Sequence, residues 1–183
     1  RVDGATMGEQ VLGVLGVLHF GWFGGWPIKV AYGLLGAGLT AVTSSGVAIW
    51  LARRRDKGRP APRWERVWIA TVWSQPFAFA FSLAAALALP ALEPLIAWAA
   101  ATLAALAMAL AWTPEVISRR LRQASGALLL IAPAIHVLQH AGGPVDPIAW
   151  IMDASLAGLG VLSIASTMTL RRASAGAPAA ART

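Results

Sequence analysis

The sequence predicts an all-α, polytopic membrane protein with about five transmembrane helices in a bundle and a short interfacial helix at the amino terminus. Hydrophobic side chains make up 57% of its 183 residues and charged ones only 13%, which is far from the balance of soluble domains. The apolar residues fall in runs long enough to cross a hydrocarbon layer about 30 Å thick as helices. Short charged, Pro-rich or Gly-rich stretches separate the runs.

Residues 1–26 are predicted to form an entry segment on the outer side of the membrane. The apolar run within residues 8–23 is too short to span, and Gly24, Gly25 and Pro27 follow it directly. We therefore expect an interfacial or re-entrant helix there. The sequence begins with Arg1 and shows no signal-peptide pattern, so we expect it to be part of a longer or processed chain.

The transmembrane bundle is predicted over residues 27–172. Its five spans are 27–51, 64–89, 95–112, 116–142 and 148–170. Arginines follow the first span because the apolar interior of a membrane cannot accept them. Pro76 near the middle of the second span predicts a bend.

The last three spans have simpler signals. The third is nearly an Ala/Leu polymer, which favours close helix packing. Thr113, Pro114 and Glu115 have the pattern of a helix start and open the fourth span. The fifth ends at Arg171 and Arg172, and the Ala/Gly/Pro-rich segment 173–183 is predicted to be a disordered cytoplasmic tail.

The basic residues predict the orientation. Thirteen of the fifteen Lys and Arg residues fall in two loops and the carboxyl tail on one side of the predicted topology, which leaves Arg1 and Lys29 on the other. By the positive-inside rule the first side is cytoplasmic and the amino-terminal segment is outside. The net charge of +7 is thus explained by topology next to a lipid bilayer, and nucleic acid is not an expected partner.

Three histidines and one aspartate are the candidate site residues. His19 lies in the entry segment, and His136 and His140 lie one turn apart near the outer end of the fourth span. His136 and Asp153 lie at similar depth in consecutive helices, so they could meet. Ionisable groups at such depth usually face the bundle interior and are paired.

These residues predict a haem site. With no cysteine in the chain, a metal must use His, Met or carboxylates, and imidazole is the common axial ligand of haem iron. His19 and His136 are the candidate ligands, with Asp153 or His140 hydrogen-bonded behind them, and His140 could equally replace His136. The simpler reading is that they are interfacial or hydrogen-bonded side chains. No nucleotide-binding or hydrolase motif is present.

Residues 18–55 carry a recognisable pattern. A His-x-Gly entry at His19 is followed by a Phe-Gly-Gly turn, a Gly-rich helix with a Thr-x-x-Gly stretch, Trp50 and an Arg-rich stop. This segment resembles the PepSY-associated transmembrane family, and the resemblance continues more loosely to about residue 90. Such proteins often carry a first helix and a periplasmic PepSY domain before this segment, and neither is in this sequence.

The resemblance implies a bacterial inner-membrane protein, in several cases one that binds b-type haem and moves electrons across the membrane, for example to ferric siderophores. It assigns His19 to the family's His-x-Gly histidine. Family members commonly place another histidine where this chain has Trp64, Glu65, Arg66 and Val67, so a second, inner haem is not expected. The alternative is a structural accessory subunit that packs by its Gly/Ala faces with other subunits of a respiratory or photosynthetic complex.

Overall fold

The computed structural model describes residues 6–21, 23–140, 143 and 146–175, with side chains through Met168. Every element in these ranges is a helix, which confirms the all-α prediction. In chain order they are α1 (Met7–Phe20), α2 (Gly25–Asp56), α3 (Pro62–Ala88), α4 (Pro94–Ala111), α5 (Pro114–Gln139) and α6 (Pro147–Ala175). Helices α2 to α6 are long and apolar enough to cross a membrane, and α1 is a shorter apolar helix.

The helix ends differ from the predicted spans by one to five residues, and two of these differences concern the candidate site and the predicted tail. Helix α5, predicted to reach residue 142, ends at Gln139 with His140 as its C-cap. Helix α6 continues through Ala175, beyond the predicted start of the tail at residue 173. The rest of that tail, residues 176–183, lies outside the described residues, as do Trp22 and parts of the loop between α5 and α6.

The first compact unit, residues 1–58, contains α1 and α2. Helix α1 begins with a capping box, in which the Glu9 amide donates to Thr6 Oγ1 and the Thr6 amide donates to Glu9 Oε2. It ends at Gly21, which adopts a left-handed conformation with φ 64°. A Cβ at Gly21 would lie 2.9 Å from the ring of Tyr32 on α2. Both the backbone angle and the close approach therefore require glycine after His19-Phe20.

The second compact unit, residues 59–183, contains α3 to α6. Helix α3 packs against α4 and α5, and α5 packs against α6. Alanines make the contacts close, and on α4 they are buried at every fourth position: Ala97, Ala101, Ala105 and Ala109. Because van der Waals packing holds helices together in lipid, such small side chains let the backbones approach. The compact core comprises Ala70, Ala105, Ala109, Ile117 and Leu121.

Helices α5 and α6 touch through their backbones at two glycines. A Cβ at Gly126 would lie 2.7 Å from the Gly160 carbonyl oxygen, and a Cβ at Gly160 would lie 2.8 Å from the Gly126 carbonyl oxygen. Below them, Ser163 donates to the Arg122 carbonyl at 2.9 Å. This contact fixes which face of α5 meets α6 and thereby positions the side chains nearer the loop that joins them.

Candidate functional site

His136 and Asp153 form a hydrogen-bonded contact between α5 and α6. His136 lies in the last turn of α5, and Asp153 lies in the second turn of α6. The His136 Nδ1 and Asp153 Oδ2 atoms are 2.8 Å apart, and the two side chains are 24% and 13% exposed. The structure thus brings two of the four candidate residues into direct hydrogen-bonded contact, and a third, His140, lies beside His136. Because α5 ends three residues earlier than predicted, His136 is closer to the helix end than the sequence indicated.

The chemistry of this pair assigns the imidazole tautomer. An ionised carboxylate only accepts hydrogen bonds, so the shared proton is on Nδ1 of His136. The lone pair of Nε2 is then free to bind a metal or accept a proton. Proteins orient metal-binding imidazoles by this arrangement, in which a carboxylate holds one ring nitrogen and the metal takes the other.

His140 lies beside His136 and has a different partner. Its Nδ1 lies 2.9 Å from the His136 carbonyl oxygen of its own helix, and its side chain is exposed. The two imidazole centroids are 4.5 Å apart. Because His136 and His140 are four residues apart at the end of one helix, their rings lie on the same side of any group bound there. His140 is therefore an alternative candidate to His136 and not its counterpart.

Two further side chains, which the sequence did not single out, position this end of the helices. Gln139 Nε2 donates to the Leu87 carbonyl at 2.9 Å and ties the end of α5 to the end of α3. Asp146 Oδ1 accepts from the Ile148 amide at 2.9 Å and caps the start of α6. The sequence signal for the cap made by Asp146 was an Asp directly before a Pro at a helix start. Gln139 has no local sequence signal because its partner is a distant backbone carbonyl.

His19 belongs to the first unit and lies in the last turn of α1, with its ring edge-on to Phe20 at a centroid distance of 5.0 Å. Its pairing with His136 stays a prediction. Among the described residues, no group of three or more His, Cys, Asp or Glu side chains could hold a metal ion. A bare metal ion needs three or four protein ligands, whereas haem brings four nitrogen donors of its own. His136 thus offers one imidazole nitrogen, which suits a group that needs few protein ligands.

A second polar cluster lies at the other end of the α5–α6 contact. Arg122 Nη1 donates to Ser166 Oγ at 3.3 Å, and its guanidinium carbon lies 4.8 Å from the centre of the Trp73 ring. Gln123 Nε2 donates to Thr167 Oγ1 at 3.5 Å. These contacts join α5 to α3 and α6, so Arg122 is held within the protein despite its charge.

Residues 1–53 match the family model described as the PepSY-associated TM region. The match includes His19 and Gly21 and confirms the resemblance for this segment; it ends before His136 and Asp153. Among curated proteins and among solved structures, nothing matches the chain. The chain is therefore a membrane protein whose first 53 residues are similar to the PepSY-associated TM region, and the match does not reach α3 to α6.

Proposed function

We propose that this chain binds one b-type haem through Nε2 of His136 and takes part in electron transfer across a bacterial inner membrane. The observation that carries the proposal is the 2.8 Å contact between His136 Nδ1 and Asp153 Oδ2. It orients the ring and leaves the other nitrogen available to a metal, as carboxylates do behind metal-binding histidines. The match of residues 1–53 to the PepSY-associated TM region supports the same class of function.

The residues of the chain have separate roles in this proposal. Asp153 keeps the proton on His136 Nδ1, and Gln139 holds the helix end that carries the ring. His19, the His-x-Gly histidine, is the proposed opposing ligand, with His140 as the alternative to His136. Bound haem would supply reversible one-electron chemistry.

The test is a reduced-minus-oxidised absorption spectrum of the full chain purified with haem available. We expect sharp low-spin bands at one haem per chain. His136→Ala and His19→Ala should abolish them, whereas Asp153→Asn should weaken haem affinity by roughly 10- to 100-fold, the usual effect of losing such a partner. Asp146→Asn is the matched control because it removes a carboxylate that caps α6 and does not touch the histidine.

Two results would contradict the proposal in different ways. A protein without a haem band at one per chain would refute haem binding. Bands that persist in His136→Ala but vanish in His140→Ala would refute the assignment of His136 and leave His140 as the ligand. Equal affinities for Asp153→Asn and Asp146→Asn would show that the hydrogen bond between His136 and Asp153 has no part in binding.

We also propose, as the second candidate, a structural accessory subunit of a larger respiratory or photosynthetic complex. Gly33, Gly36 and Thr40 lie on one face of α2, and within the first unit nothing lies within 4 Å of a Cβ built at either glycine. Such a small-residue face suits a close helix contact in lipid. Stoichiometric copurification of other membrane subunits is the expected result, and a monodisperse monomer in mild detergent would count against it.

A further inference from the structure

We propose that the Arg-rich end of α5 and the groove beside it bind one anionic phospholipid. The acyl chain would occupy a groove between α3, α4 and α5, and the phosphate would lie between α5 and α6 against Arg119 and Arg120. This site is separate from the His136–Asp153 pair and does not depend on haem binding.

The groove has the size and surface of an acyl-chain site. Its volume is about 480 Å³, and Phe77 of α3, Ala105 and Met108 of α4, and Trp112 at the end of α4 contribute apolar walls. That volume falls in the range of small-molecule sites, which is about 300–1,000 Å³. Its polar lining comes from Arg120 and Gln123 of α5. A ligand that fits it must therefore be largely apolar.

A second, polar hollow adjoins the groove. It has a volume of about 310 Å³ and is lined by Arg119, Arg120, Gln123, Thr167 and Met168. Arg120 and Gln123 line both cavities, so one molecule can extend from the polar hollow into the apolar groove. An amphiphile is the class of ligand that matches this change of surface.

The charge of the hollow selects an anionic headgroup. Within the part of the chain that the structure describes, Arg119 and Arg120 make no ion pair with a carboxylate. The Thr167 hydroxyl already donates to the Ile164 carbonyl and accepts from Gln123. The two guanidinium groups are thus the groups left to bind an external anion, and basic pockets between transmembrane helices commonly hold anionic lipid headgroups.

Native mass spectrometry of the full chain in detergent tests this, with phosphatidylglycerol and phosphatidylcholine of identical acyl chains as probes. We expect one phosphatidylglycerol to be retained in preference to phosphatidylcholine. The double variant R119Q/R120Q should weaken phosphatidylglycerol binding by about 30-fold, from the usual contribution of two basic residues near a lipid surface. The matched control R59Q/R63Q removes the same charge from residues that line neither cavity and should retain binding.

Two measurements probe the groove itself. Ala104 lines it from an exposed position, so Ala104→Phe should fill it and weaken binding without disturbing the helix core. In the unmodified protein, a phosphatidylglycerol with a photoreactive acyl chain should label Phe77, Met108 or Trp112. Because this labelling uses the unmodified protein, its result does not depend on whether a variant folds.

Several outcomes would overturn the proposal. Equal retention of the two lipids, or an equal loss of phosphatidylglycerol binding in R59Q/R63Q and R119Q/R120Q, would refute the specific headgroup site. Labelling of residues outside the groove only, or unchanged lipid binding in Ala104→Phe, would refute the acyl-chain site. Displacement of the lipid by inorganic phosphate alone would identify a free-anion site, and displacement by a quinone without phosphate would identify a different occupant.

Discussion

Substituting Gly160 by alanine should separate α5 from α6. The new Cβ would lie 2.8 Å from the Gly126 carbonyl oxygen, so the backbones must part by about 0.6 Å to reach the 3.4 Å at which ordinary van der Waals contact begins. Overpacking of this kind costs about 1–3 kcal/mol, and the better helix propensity of alanine returns up to about 1 kcal/mol. We expect a net loss of about 1–2 kcal/mol in the free energy of unfolding.

Gly158→Ala is the matched control because it lies two residues away on the same helix, where a Cβ would meet nothing within 4 Å. It should be neutral or slightly stabilising. The assay is reversible unfolding in mixed detergent–SDS micelles, followed by circular dichroism. If Gly160→Ala is as stable as Gly158→Ala, the two helices do not touch through these backbones. Asp153 lies seven residues before Gly160, about 10 Å along α6, so the same separation should also loosen the pair with His136.

Four further predictions concern single contacts. Ser82 Oγ donates to the Pro94 carbonyl at 2.7 Å, so Ser82→Ala should lower the free energy of unfolding by about 0.6 kcal/mol, the average for such bonds in membrane proteins. Ser155→Ala removes a bond within one helix and should lower it by less. Equal losses in SDS unfolding would contradict this. The bonds from the Thr6 amide and hydroxyl lower the pKa of Glu9. The capping contribution is therefore present above the ordinary carboxyl pKa and is lost as pH falls through the lowered one. NMR titration of Thr6→Val, which keeps the amide bond and removes the hydroxyl bond, should show a higher Glu9 pKa, and an unchanged value would refute the hydroxyl contribution. Trp73→Leu should destabilise by about 1 kcal/mol more than Trp73→Phe, since phenylalanine keeps an aromatic face for Arg122; indistinguishable variants would exclude the cation–π contribution. A double-mutant cycle of His136→Ala and Asp153→Ala should give a coupling of about 0.5–1.7 kcal/mol without haem, and additive losses would mean that the 2.8 Å contact has no energetic weight.

The number and type of the helices could be predicted because the membrane imposes a length on every apolar run. Arg53 to Arg55, which the sequence placed after the first span, form the last turn of α2, where positive charge compensates the helix dipole. The end of α5 was harder because the Gly-Gly-Pro break after Gln139 begins only at Gly142, and sequence signals place a helix end only to within one or two residues. The C-cap at His140 therefore leaves His136 three residues from the end of α5, where the predicted end at residue 142 placed it six residues away.

The contact between His136 and Asp153 could be anticipated because a short loop joins two antiparallel helices. Residues at similar distances from that loop therefore lie at a similar depth in the membrane.

The cluster around Arg122 could not be anticipated in the same way. Its partners, Ser163 and Ser166, are about forty residues away, and the contact depends on which faces of α5 and α6 meet. In an Ala- and Leu-rich sequence no apolar periodicity marks that face, because lipid-facing and protein-facing positions are equally hydrophobic. Gly126 and Gly160 mark this face only as a pair. In the sequence alone, neither can be told from Gly158, where a Cβ would meet nothing within 4 Å.

A pairing of His19 with His136 is less constrained still, because α2, α3 and α4 lie between them in the chain. Counting residues predicts only the depth of the two histidines. Absorption spectra of His19→Ala and His136→Ala therefore decide whether the two histidines share the proposed haem.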